Sequence, residues 1–128
     1  MDPEKVRFRD EMVRCLNQVA PVTARGMFGG YGLYCEGVMF ALIAYNTLYF
    51  KVDDGNRQDY IDAGMGPFVY EGKGKPIQMS YYQLPETVLN EVPLLAEWVE
   101  KSHAAGRRAK QGKKGKRQKA KGRKQIQD

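Results

Sequence analysis

The four glycines at positions 26, 29, 30 and 32 constrain the fold of this chain more than any other feature. In Arg25-Gly-Met-Phe-Gly-Gly-Tyr-Gly-Leu-Tyr34 they are interleaved with large apolar or aromatic residues. Glycine inside a helix costs about 1 kcal/mol relative to alanine, so a cluster this dense excludes a helix. A bare backbone alternating with Phe28 and Tyr31 suits a strand with a tight bend, approached closely by another backbone or side chain. A strand is therefore predicted over about 27–34.

The flanking patterns extend this start into an architecture. Phe8, Met12, Cys15, Leu16 and Val19 recur at three and four residues, which predicts an amphipathic helix from Pro3 to Ala20, ended by Pro21. Apolar runs at 38–45 and 47–52 are separated only by Cys35-Glu-Gly37 and Tyr45-Asn-Thr47, gaps that force antiparallel neighbours. Asp53 or Asp54 is expected to cap a short helix that runs to Ala63 and stops at Gly64. Gly66-Pro67 opens a strand to Tyr70, and the Glu71–Pro76 turn leads to another at 77–82. Pro85 can open a single turn, and Pro93 starts a last helix with Leu94, Leu95, Trp98, Ser102 and Ala105 on one face. The predicted fold is α+β, two-layered, a five-stranded antiparallel sheet with helices packed on it in the order α-β-β-β-α-β-β-α.

The glycine segment followed by Gly37-Val-Met-Phe-Ala-Leu-Ile43, Leu48-Tyr-Phe-Lys-Val-Asp53, Gly66-Pro-Phe-Val-Tyr70, Lys73-Gly-Lys75 and Met79-Ser-Tyr-Tyr82 resembles the TfoX N-terminal domain family. The likeness spans about residues 7–109, and ordered blocks at this spacing are far more specific than a short motif. Its core is Arg25, Gly26, Met27, Phe28, Gly29, Gly30, Tyr31 and Gly32, to which it assigns a structural role. The resemblance implies the α+β fold and a bacterial regulatory role, the family's best-known members being coactivators of competence genes beside a cyclic-AMP-responsive transcription factor. It implies no catalytic residue and no cofactor. The longer regulators carry a second domain where this sequence has a basic run.

Charge divides the chain. Residues 1–100 hold nine Lys/Arg against fourteen Asp/Glu, a net −5, whereas residues 101–128 hold twelve against Asp128 alone, a net +11. From Arg107 onward the residues are almost all Lys, Arg, Gly, Gln or Ala, which bury too little apolar surface to offset the entropy of ordering. The expected organisation is a domain over 1–106 and a disordered basic tail over 107–128. With 42% hydrophobic residues the domain can build an ordinary core. No apolar run approaches a membrane span, and the sequence opens Met-Asp-Pro-Glu-Lys rather than as a secretion signal. The two cysteines, Cys15 and Cys35, are expected as free thiols, and the cytoplasm is the expected compartment.

The candidates for chemistry are few. Gly30-Tyr-Gly32 lacks the third glycine of a dinucleotide loop and runs into a strand. Glu71-Gly-Lys-Gly-Lys75 has Pro67 where a phosphate loop needs its first glycine. His103, the sole histidine, is expected to stabilise carbonyls at the end of the last helix. The cysteines and His103 have no zinc spacing, and Asp53, Asp54, Asp59 and Asp62 suit helix capping and exposed faces better than magnesium, so no metal site is assigned. Arg25 is expected to stack on Tyr31 or pair with a carboxylate at the entrance of the glycine strand.

Strand alternation puts Leu48, Phe50 and Val52 toward the helices and leaves Tyr31, Met39, Tyr49, Lys51, Ser80 and Tyr82 on an uncovered aromatic face. That face is the candidate surface for a protein partner, such as a transcription factor or polymerase, or for a homodimer. In the tail, Arg107, Arg108, Lys110, Lys113, Lys114, Lys116, Arg117, Lys119, Lys121, Arg123 and Lys124 could neutralise nucleic-acid phosphates without reading sequence, and no aromatic residue accompanies them for base stacking. The function expected is a non-enzymatic regulatory accessory protein. The alternative is a small protein-interaction or chaperone-like module without a nucleic-acid role. No amphipathic helix or lipidation signal beside the tail points to a membrane.

Overall fold

A computed structural model describes residues 3–27, 29–71, 74 and 76–122, with Glu71 and residues 112–122 described by their backbone. The elements are α1 (Pro3–Leu16), β1 (Thr23–Met27), β2 (Gly30–Cys35), β3 (Val38–Ala44), β4 (Thr47–Lys51), α2 (Arg57–Asp62), β5 (Pro67–Glu71), β6 (Pro76–Gln83), α3 (Glu86–Leu89) and α4 (Val92–Gly122). The fold is α+β, and its strands pair antiparallel throughout, in the order β1-β2-β3-β4-β6-β5. The sheet has six strands, not five. The segment expected as one bent strand over 27–34 breaks at Gly29, where φ is +78°, into β1 and β2, which pair with each other from Met27↔Gly30 to Thr23↔Tyr34. Phe28 lies outside the described residues.

Two tight turns carry the middle of the sheet. Glu36 and Gly37 (φ +52° and +78°) join β2 to β3, and Tyr45 and Asn46 (φ +53° and +55°) join β3 to β4. Positive φ at both central residues is the turn geometry whose twist matches that of the flanking strands. β3 carries a bulge: Tyr34 pairs with Met39 and Leu33 with Ala41, leaving Phe40 as the extra residue. Phe40 and Ala41 consequently both enter the main core.

Register separates the two faces. Leu33, Ala41, Phe50 and Tyr82 are successive cross-strand partners and belong to the core beneath the helices. That core also holds Leu16 of α1, Tyr60 of α2, Val88 of α3 and Leu95 and Val99 of α4. Burial of each large apolar side chain here stabilises the fold by about 1.5–3 kcal/mol. Gly32, Leu42 and Tyr49 lie in the adjacent register on the other face, where Leu42, Phe68 and Tyr81 form a second small cluster. The expected orientation of β6 is thus reversed. Tyr82, expected outside, is 9% exposed, pairs with Phe50 and has its ring 6.0 Å from that of Tyr60. Tyr81 and Met79, which the alternation that puts Ser80 and Tyr82 outside would send under the helices, face the open side. Aromatic residues occupy both parities of β6, so alternation alone gives no sign for which faces inward.

The helices depart from expectation at their ends. α1 stops at Leu16, before Ala20, and Asn17 closes it: its side chain donates to the carbonyls of Val13 (2.8 Å) and Val22 (3.2 Å) and accepts from the Val22 N–H. Asn56, rather than Asp53 or Asp54, precedes α2, and Gly64 follows that helix with φ +78°. The longest element is α4, whose helical backbone runs from Val92 through Gly122. Lys, Arg, Gln and Ala are strong helix formers, so a segment too polar to build a core can still propagate a helix that is already nucleated.

Candidate functional site

The open face is concave. Met27 of the edge strand β1, Met39, Leu42 and Ala44 of central β3, and Phe68 and Tyr70 of the opposite edge strand β5 line a single cavity of about 340 Å³. Residues from both edges meet around one volume only if the sheet curls toward its uncovered side, as its twist favours. Met79 and Tyr81 of β6 complete the floor, and Tyr45 and Lys5 stand at the margin. Phe68 is the hub of the aromatic wall, its ring 5.0 Å from Tyr49 and 6.4 Å from Tyr45. Burial pushes the Tyr81 phenol up to about 12 and also raises that of Tyr49.

Glycine makes this concavity possible. A Cβ on Gly32 would lie 3.2 Å from the sulfurs of Met27 and Met39, on the floor itself. A Cβ on Gly30 would overlap the Ile43 carbonyl oxygen. The close approach predicted for the glycine segment is thus real at Gly30 and Gly32. Gly26 has nothing within 4 Å of its Cβ position.

The residues expected on the partner face are divided between the two sides. Met39 and Tyr49 pack with the open-face cluster. Lys51 lies 5.0 Å over the Tyr81 ring and donates to the Ser80 hydroxyl at 2.7 Å. Tyr31 lines the cavity and also packs against the main core, with Arg9 of α1 at 5.1 Å over its ring, whereas Tyr82 is buried in that core. Arg25 stacks on Tyr34 (4.9 Å) rather than on Tyr31, because Arg25 and Gly32 are paired and share the open face with Tyr34.

The basic segment is rooted more firmly than expected. Arg108 makes a two-pronged ion pair with Asp53, Nε to Oδ2 at 2.6 Å and Nη2 to Oδ1 at 2.9 Å, which holds the Asp53 carboxyl below the usual carboxylate range. Two residues earlier, Gly106 lets α4 lie on β3: a Cβ there would sit 2.7 Å from the Met39 carbonyl oxygen and 2.8 Å from Val38 Cγ1. Arg107 donates to His103 Nδ1 at 3.3 Å, and Lys110 is exposed. The side chains of Lys113, Lys114, Lys116, Arg117, Lys119 and Lys121, and all of Arg123 and Lys124, lie outside the described residues.

His103 is not at a helix end. It sits inside α4, buried, and its Nε2 donates to the Cys35 carbonyl at 2.9 Å. A carbonyl can only accept and a guanidinium can only donate, so the proton is on Nε2 and Nδ1 accepts from Arg107. Cys35, Glu36 and His103 bring potential metal-ligand atoms within 4.8 Å of one another, the one such group of three among the described residues. The Nε2–H bond to the Cys35 carbonyl already uses the imidazole atom facing this group, and burial raises the Cys35 thiol, which opposes the thiolate a metal needs. This cluster ties α4 to the β2–β3 turn. The four aspartates do not converge: Asp53 holds Arg108, Asp54 holds Arg57 (2.6 Å), Asp59 holds Lys101 (2.9 Å) and Asp62 accepts from Gln58 (2.8 Å).

Sequence reasoning placed Arg108 in the tail and missed its pairing with Asp53, and it missed the close contact at Gly106 and the cavity. Met27 and Met39, on the outward parity of their segments, were the one signal that could have located the cavity floor; Met79 joins them only once the orientation of β6 is known. The lining offers polar atoms through Lys5, Tyr45, Tyr70, Tyr81 and the backbone, an inventory suited to binding. No helix among the described residues is long and apolar enough to cross a membrane. Comparison with proteins of curated function finds no match to this sequence. Comparison with protein families matches the TfoX N-terminal domain over residues 14–106, which takes in every strand, both glycine contacts and the Cys35–His103 tie. The chain belongs to the TfoX N-terminal domain family.

Proposed function

We propose that this protein is a non-enzymatic regulatory accessory protein of the TfoX type, whose α+β domain engages a protein of the transcription machinery and whose basic half of α4 contacts nucleic-acid phosphates without reading sequence. One observation carries the second role: charge reverses within a single helix whose first half is core. Leu95, Val99, Ser102 and Ala105 are buried, whereas residues 107–122 contain nine Lys/Arg and no Asp/Glu. At 1.5 Å per residue the helix beyond Lys110 extends about 18 Å. The Asp53–Arg108 pair fixes its departure from the domain. Cationic side chains carried this way release counterions from a phosphate backbone, a source of affinity that does not depend on base sequence.

Family membership supports the regulatory role, and a cytoplasmic setting would suit that role. Met39, Tyr49 and Lys51 remain the partner-facing candidates, Tyr31 reaches the cavity while also packing against the main core, and Tyr82 does not remain one because it is buried in that core. The test is a chain ending at Gln111, which keeps Arg107 and Arg108 and so keeps the contacts of α4 with the domain. It should melt like the full chain, lose most retention of duplex DNA at low salt, and still capture its protein partner from lysate. Equal DNA retention by the two chains would place nucleic-acid contact in the folded domain instead.

A further inference from the structure

We propose that the concave face of the sheet is a binding site for a small aromatic carboxylate, its ring held among Met39, Leu42, Phe68 and Tyr81 and its anionic group met by Lys5. The cavity is small, about 340 Å³, and its walls come from both edge strands, so it wraps one compact molecule rather than presenting a plane. That volume lies at the lower end of small-ligand clefts. Its lining has the right chemistry for a flat ring: aromatic edges and faces from Phe68, Tyr81 and Tyr45, and the polarizable thioethers of Met27, Met39 and Met79, which adapt to an irregular surface.

Two details at the margin indicate a ligand beyond the needs of folding. Tyr45 takes a left-handed backbone (φ +53°), unfavourable for a bulky residue, and the residue is 82% exposed with its ring centroid 6.4 Å from that of Phe68. A turn selected for folding alone would place Asn, Asp or Gly there. A ring kept in solvent at the rim is suited to closing over a bound molecule, and backbone strain of this type collects at ligand clamps. Lys5 is the one ionic side chain of the lining, and its Nζ donates to the Gly29 carbonyl at 3.4 Å, which leaves two further N–H donors on the ammonium. An apolar cleft with a single cation at its mouth selects an apolar anion over a neutral or cationic analogue.

The experiment uses the full chain and three probes: 3-phenylpropionate, its neutral amide 3-phenylpropionamide, and acetate. Binding is followed by amide chemical-shift changes. The acid is expected to bind with shifts centred on Met39, Leu42, Ala44 and Phe68, the amide about threefold more weakly, as befits one exposed charge contact, and acetate not at all. Lys5→Ala, on an exposed helix position, should equalise acid and amide. Ala44→Phe should fill the cleft and abolish both, and an unchanged melting temperature will certify its fold. No binding of the acid at millimolar concentration overturns the proposal. Equal binding of acid and amide by the parent chain refutes the carboxylate, and shifts centred on α4 show that the anion is held by the basic helix instead. DNA retention by the full chain is independent of all of these outcomes.

Discussion

Gly30 and Gly26 belong to the same glycine-rich segment, yet replacing each with alanine should move stability in opposite directions. At Gly30 a methyl group would overlap the Ile43 carbonyl oxygen and sit 3.2 Å from the Ile43 carbonyl carbon and 3.5 Å from Ala44 Cα. The obstacle is backbone, not the end of a flexible side chain, so β2 and β3 must part where Tyr31 pairs with Ile43. Weakening one or two ladder hydrogen bonds costs about 1 kcal/mol each, and loosening the buried Ile43 about 1 more, for a total near 2–3 kcal/mol. For a domain of this size that lowers the melting temperature by roughly 8–14 °C. At Gly26 the added methyl meets nothing within 4 Å and the backbone is not left-handed, so alanine acts by restricting the unfolded chain and adds about 0.5 kcal/mol. Thermal melts followed by far-ultraviolet circular dichroism, with urea titrations for the free energies, measure both. A Gly30→Ala variant that melts within about 2 °C of the parent, or a Gly26→Ala variant that falls as far as Gly30→Ala, would refute the close-approach argument.

Tyr82→Ala removes a ring packed between Phe50 and Tyr60 and should cost about 3–5 kcal/mol by urea unfolding, whereas Tyr49→Ser on the open face should cost distinctly less. Arg108→Ala should cost about 1 kcal/mol, the upper range for a partly exposed pair with two-pronged geometry. The Asp53 carboxyl is held below its unfolded value, so its contribution is complete above about pH 4 and is lost as pH falls through the folded value. Asp53→Asn should therefore flatten the acid side of the stability profile, and an unchanged profile would show that the pair is not formed in solution. Tyr81 should ionise near pH 12 in ultraviolet difference spectra, about two units above a free phenol, and an ordinary titration of all eight tyrosines would show the open-face cluster to be solvated.

How much of this was legible in the sequence depended on whether the signal was local. The hairpins at 36–37 and 45–46 were readable because gaps of two or three residues leave antiparallel pairing as the only geometry. The sixth strand was hidden because the break at Gly29 lies inside a segment that reads as continuously extended. The inward side of β4 was legible from Leu48, Phe50 and Val52, but β6 offers Tyr81 on one parity and Tyr82 on the other, and only pairing with Phe50 decides between them. Composition fixed the sign change along the chain but not the anchoring of Arg108, since it counts that residue as one more cation and cannot show Asp53 waiting 55 residues earlier. The cavity was least legible, because its lining is drawn from α1, both edge strands and the sheet centre, and no window of sequence contains it.

A folded acidic domain that carries a basic helix should contact nucleic acid without reading its sequence. The most direct measurement is the affinity of the full chain for two unrelated DNA duplexes across a range of salt, beside the chain ending at Gln111. If about six phosphates are neutralised, the logarithm of the association constant should fall against that of salt with a slope near −5, alike for both duplexes, and most of that slope should vanish with residues 112–128. A flat salt response, or a preference between duplexes that survives the truncation, would contradict the account.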